Sequence, residues 1–110
     1  MLDFHISLAK AKEALKVSDS PFKELFGHGT LSVELYKPEK LDLQTPHDRD
    51  EVYIIAEGNG RFHLENESIY FGKGDFLFVP AGKVHKFETF SADFSTWVLF
   101  YGPKGGEIKK

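Results

Sequence analysis

His47 and Glu51 lie four positions apart in the stretch Gln44-Thr45-Pro46-His47-Asp48-Arg49-Asp50-Glu51, which runs directly into the apolar segment Val52-Tyr53-Ile54-Ile55. In an extended chain the side chains alternate between faces, so residues at this separation project from the same side. A further histidine, His85, follows a turn marked by Pro80 and Gly82. Two imidazoles and a carboxylate are a nitrogen and oxygen donor set of the kind divalent transition metals accept. The 110-residue chain has no cysteine, which excludes disulfides, thiolate zinc sites and a cysteine nucleophile. Each residue taken alone also has an ordinary reading. His47 is then a hydrogen-bonded histidine, Glu51 a charge at a strand edge beside Asp48, Arg49 and Asp50, and His85 a surface residue next to Lys86.

The elements that must position these residues are mostly strands. Leu8 to Leu15 is rich in helix formers, with Leu8, Ala11 and Leu15 at helical spacing and Ser7 available as a cap. Ser20-Pro21 reads as the start of a second helical piece, with Phe22, Leu25 and Phe26 on one face and Gly27 ending it. Both pieces are expected to pack on the outside of the β structure. From Thr30 the period changes to two, with Leu31, Val33 and Leu35 alternating with Ser32, Glu34 and Tyr36. Glu51 to Ala56 and Arg61 to Glu65 read as a hairpin closed by Glu57-Gly58-Asn59-Gly60. Ser68 to Phe71, Asp75 to Val79, Val84 to Phe90 and Phe94 to Tyr101 complete seven or eight short strands, the pattern of a sandwich or barrel. The expected organisation is a helical extension over residues 1–29, an all-β barrel over 30–102 and a loose tail over 103–110.

The chemistry-bearing residues fall into two blocks. In the first, His47 is followed after three residues by Glu51 and after six more by Gly58. In the second, Gly74, Pro80, Gly82 and His85 are separated by five, one and two residues. This spacing resembles the cupin superfamily, in particular its small single-domain members. The first family motif runs His-x-His, three or four residues, Glu, six residues, Gly; the second runs Gly, five residues, Pro-x-Gly, two residues, His. The second block matches at every fixed position except the family's final asparagine, where Thr89 stands, and the likeness spans Leu31 to Tyr101.

The resemblance implies a double-stranded β-helix, or jelly-roll, and a divalent metal such as iron, manganese, nickel or zinc held by His47, Glu51 and His85. Thr45 occupies the position of the family's first motif histidine and is a poor ligand. Gln44 has an amide oxygen able to compensate, although strict strand alternation places it opposite His47 unless a bulge turns it inward. Alternation from Glu51 and His85 puts Tyr53, Ile55, Phe87 and Thr89 in the pocket, with Tyr53 able to orient a ligand or water. His28 and His63 have no partner at metal spacing.

The formal charge of −3, with both signs interspersed, gives no footprint for nucleic acid or an anionic membrane. Eleven phenylalanines and 41% hydrophobic residues suit a packed core. The N-terminal residues resemble no secretory signal and no apolar run is long enough to span a bilayer, so a cytoplasmic location is expected. By resemblance the function is that of a metal-dependent, dioxygenase-like enzyme acting on a small organic molecule. A metal-dependent sugar or keto acid isomerase, a non-catalytic ligand- or metal-binding module and a metal-free dimerisation unit are the alternatives. No free general base is evident at a defined spacing, which counts against the isomerase. A homodimer is expected, using the outward residues Val52, Ile54, Trp97 and Leu99.

Overall fold

The computed structural model describes residues 4–42 and 44–108. Its elements are α1 (Leu8–Lys16), β1 (Phe22–His28), β2 (Leu31–Tyr36), β3 (Asp50–Glu57), β4 (Gly60–Leu64), β5 (Glu67–Phe71), β6 (Phe76–Val79), β7 (His85–Phe90) and β8 (Ser95–Tyr101). A five-stranded antiparallel sheet in the order β1-β2-β8-β3-β6 faces a three-stranded one in the order β5-β4-β7. From β3 onward the chain crosses repeatedly from one sheet to the other, which is the jelly-roll weave expected of the sequence. No described helix is long and apolar enough to cross a membrane.

Helix α1 forms as expected, with the Ser7 hydroxyl accepting from the Lys10 amide at 3.1 Å. It buries Ala11 and Leu15 against Leu35 of β2, flanked by Leu25 and Trp97, on the outer surface of the large sheet. This fixes the faces of β2. Its apolar row turns outward to the helix, while Glu34 and Tyr36 face the barrel interior.

Two local expectations are corrected. Phe22–His28 is a strand, paired with β2 from Phe22 opposite Tyr36 to His28 opposite Leu31. The helix signal at Ser20-Pro21 yields to a tight hairpin turn at Gly29, where φ is 60°, and to residues that gain a ladder partner in β2. The segment Glu57–Gly60 joins β3 to β4, but the two strands do not pair. β3 runs between β8 and β6, and β4 between β5 and β7. The turn is instead clamped by the loop between β7 and β8. Asn59 exchanges hydrogen bonds with Ser91, a Cβ at Gly58 would stand 2.6 Å from the Phe94 Cα, and one at Gly60 would overlap the Thr89 carbonyl. Glycine is required at both positions by close backbone approach.

Aromatic packing fills this end of the barrel. Phe87 lies at the centre, with ring centroids 4.7 Å from Phe94, 4.9 Å from both Tyr53 and Phe62, and 5.3 Å from Phe71. The opposite end is left for polar residues. Of the tail over 103–110 expected to be loose, residues 103–108 are described and are pinned there: Gly105 N–H donates to the Asp48 carbonyl at 2.7 Å and Glu107 N–H to Asp50 Oδ2 at 2.8 Å. Asp50 Oδ1 also accepts from Ala81 N–H at 2.9 Å, so one buried carboxylate ties the C-terminal segment and the β6–β7 turn to the start of β3.

Candidate metal centre

Three elements bring the two sequence blocks together. Glu51, the second residue of β3, points into the barrel between its cross-strand neighbours Phe100 and Val79. His85 opens β7, delivered by the turn at Pro80–Lys83 in which Gly82 has φ 81°. His47 lies on the loop before β3, and its carbonyl accepts from Gly82 N–H at 2.7 Å. The glycine of the second block therefore holds the histidine of the first, which explains why the spacing within each block matters.

His85 Nε2 is 3.3 Å from Glu51 Oε1 and His47 Nε2 is 3.9 Å from the same oxygen. One donor atom from each residue lies within 4.8 Å of the other two, so this group could hold a metal ion. Both Glu51 oxygens and His85 Nε2 are buried without a hydrogen-bond partner; the 3.3 Å approach lacks the direction a hydrogen bond needs. His85 Nδ1 is 2.9 Å from the Lys83 carbonyl, which fixes that nitrogen as a donor and makes Nε2, facing Glu51, the atom that would bind an ion when the ring is neutral. Burial opposes a charge on His85, but Glu51 and the Lys83 carbonyl outweigh it and raise its pKa above the usual value. Three unpartnered buried donor atoms at one point are costly without a cation and natural with one. Metal bonds of about 2.0–2.2 Å place adjacent ligand atoms roughly 3 Å apart, a separation that the His85–Glu51 pair at 3.3 Å nearly has and that His47, 3.9 Å from the same oxygen, would reach by closing in.

Gln44 joins the group. Residues 44–49 precede β3, so strand alternation does not apply to them and no bulge is needed to turn the amide inward. Its Oε1 lies 3.2 Å from His47 Nε2 and accepts from the Tyr53 hydroxyl at 3.1 Å. The orientation is set by Asp42, a residue that sequence spacing did not single out. Asp42 accepts from Gln44 Nε2 at 2.9 Å, Gln44 N at 3.1 Å, Tyr36 Oη at 2.6 Å and Phe87 N at 2.8 Å. A carboxylate that only accepts must face the amide NH₂, leaving the carbonyl oxygen for the site.

A cavity of about 480 Å³ opens onto this group, bounded by Pro21, Phe22, Tyr36, Leu41, Val98 and Phe100, with Glu34, Thr45, His47, Glu51 and Gln44 as its polar lining. Of the residues expected in the pocket, Tyr53 contacts the site through Gln44, but Ile55 and Phe87 belong to the aromatic core beneath it. Thr89 is exposed. A bulge sets Arg61 opposite Thr89 but Phe62 opposite Phe87, so alternation fails between Phe87 and Thr89. The walls come largely from β1, β2 and β8, whose role was hidden by the helix reading of Phe22. Burial, with help from Glu24 and Glu51 and against Arg49, pushes the Glu34 carboxyl up to about 7. Burial and the Asp42 carboxylate likewise raise the Tyr36 hydroxyl far above its ordinary range, so it remains a donor. His63 faces Ser68 and Glu88 on the small sheet, away from this group.

Comparison with known proteins agrees with this geometry. Residues 32–99 match the family model described as Cupin domain. An uncharacterised protein of Streptomyces coelicolor is 30% identical over 106 residues, which is 94% of this chain and 99% of that protein. An acireductone dioxygenase of Parvibaculum lavamentivorans is 33% identical over 72 residues, 61% of this chain but 39% of the dioxygenase. Among solved structures, the DMSP lyase DddQ of Ruegeria pomeroyi superposes with a TM-score of 0.64 at 28% identity, covering 74% of this chain and 46% of the lyase. The chain thus spans less than half the length of both named enzymes.

Proposed function

Because this chain belongs to the cupin family, we propose that it is a metal-dependent enzyme of dioxygenase type acting on a small organic molecule. The observation that carries this reading is the trio of buried, unpartnered donor atoms on Glu51 and His85 beside His47. His47, Glu51, His85 and Gln44 would hold a divalent transition metal, iron, manganese, nickel or zinc. Such an ion supplies a Lewis acid and a template for an oxygen-donor substrate. The chain's own residues do the rest. Asp42 keeps the Gln44 oxygen turned to the site, Tyr53 donates to that oxygen, and Phe22, Leu41, Val98 and Phe100 give the cavity apolar walls.

Glu34 supports a second reading, a metal-dependent isomerase of sugars or keto acids. The sequence showed no free base, yet Glu34 lines the cavity with a carboxyl that titrates near neutrality, as a proton-transfer group requires. Oxygen uptake by the iron-loaded protein across catechols, flavonoids, thiols and keto acids tests the first reading. Uptake abolished by His85→Ala is the expected result. Exchange of substrate carbon-bound hydrogen without oxygen uptake would favour the isomerase, and inactivity with a co-purifying small molecule would favour a binding module.

The homodimer is proposed on a revised surface. Trp97 is covered by the α1 cluster, but the adjacent outer row of the large sheet runs Phe78, Val52, Leu99 and Val33, with Phe76 and Ile54 beside it. Phe76 and Phe78 are exposed. A second copy of this chain would cover this apolar row. Sedimentation at micromolar concentration should give a dimer; a monomer there would refute it.

A further inference from the structure

Glu34 is an unusual residue for the inside of a small barrel. It occupies the centre of β2 on the cavity face, directly across from Val98 on one side and Glu24 on the other. Like charges in cross-strand register are unfavourable, and neither sequence alternation nor core packing calls for a carboxylate there. Among the described residues its side chain makes no hydrogen bond or ion pair, whereas Tyr36 in the same lining donates to Asp42. Glu51, the other carboxyl of the lining, faces His47 and His85 in the candidate metal group. Among the described residues, no lysine or arginine lines the cavity. Arg49, the basic residue that acts on Glu34, lies 5.7 Å from the Phe100 ring and donates to the Thr30 carbonyl.

The walls beside Glu34 are the rings of Phe22, Tyr36 and Phe100. Aromatic faces carry negative potential and attract cations, more strongly where water is partly excluded. The Glu34 carboxyl among aromatic rings, with no lysine or arginine in the described lining, defines the ligand's charge at that end.

We propose that the cavity takes a small organic cation, an ammonium or onium group seated between the aromatic rings and paired with Glu34, with its oxygen-bearing end toward His47, Glu51 and His85. This rests on reading the cavity as the substrate site, and it assigns that substrate a class. An anionic head at the Glu34 end is disfavoured by direct repulsion, and a neutral alkyl group of the same shape gains only apolar contact.

Choline and its uncharged isostere 3,3-dimethylbutan-1-ol differ only in that charge. Titrating each into zinc-loaded protein, with binding followed by amide chemical shifts, should give perturbations at Glu34, Val98 and Phe100 and at least tenfold tighter binding of choline. Glu34→Gln should remove most of that preference while leaving zinc content unchanged. Equal affinity for the two probes, a preference retained in Glu34→Gln, or no choline binding at millimolar concentration would each overturn the inference. Repeating the pair with the His85→Ala variant, its zinc content measured alongside, separates the two readings. A surviving choline preference there beside normal zinc content would sink the metal assignment and spare the cation subsite. Loss of the preference in wild type with normal His85-dependent zinc would do the reverse.

Discussion

The side-chain amide of Gln44 donates to Asp42 at 2.9 Å, and this turns its carbonyl oxygen to within 3.2 Å of His47 Nε2. The relationship answers the defect in the first motif. Thr45 stands where the related family has a histidine, and the neighbouring residue reaches the site because Asp42 leaves it no other orientation. Asp42→Asn presents one acceptor oxygen to four donors, so two or more buried groups lose their partner. Metal affinity, measured by chelator competition, should fall about 10–100-fold, with a loss of about 2–3 kcal/mol in stability by urea denaturation. Gln44→Ala should lower the affinity with a smaller stability loss, since the Asp42 bonds to Tyr36 and Phe87 survive. Unchanged affinity in both variants would remove Gln44 from the ligand set.

Glu34 should make stability depend on pH in metal-free protein. Its carboxyl is raised from 4.5 to about 7, so the folded chain keeps a proton that the unfolded chain releases. The unfolded state then binds fewer protons between these values, and stability falls as pH rises through that window. The contribution is fully present below about pH 4.5 and lost above about pH 7. Glu34→Gln should match wild type near pH 4 and exceed it at pH 8 by about 1 kcal/mol, a figure reduced for the solvent screening of a partly exposed group. Denaturation at the two pH values checks this, and a difference of the opposite sign would contradict it.

Gly60→Ala should be severely destabilising, by about 3 kcal/mol or more, because the added methyl meets the Thr89 backbone and not a side chain that can swing away. Gly72→Ala is the control, since nothing lies within 4 Å of a Cβ there. Guanidinium denaturation of the pair should separate them clearly.

The legibility of the chain follows physical lines. The convergence of His47, Glu51 and His85 and the jelly-roll class were readable because fixed spacing within each block brings the three residues to one point and because short strands alternate with Gly and Pro turns. The β1 strand was not, since Phe22, Leu25 and Phe26 suit either period and only pairing with β2 decides. The β3–β4 turn has hairpin chemistry, but its glycines serve a clamp against Thr89 and Phe94, residues distant in sequence. Thr89 left the pocket through one bulge. Glu34 and Asp42 were invisible because their roles depend on which face of β2 the helix covers and on a loop that folds back over the site.

The most direct measurement is metal content. Protein purified without a metal-affinity tag should carry close to one equivalent of a divalent transition metal per chain by elemental analysis. The His47→Ala/His85→Ala double variant should carry almost none, because Glu51 and Gln44 alone offer too few donors. Stoichiometric metal retained in the double variant would contradict the assignment of the site.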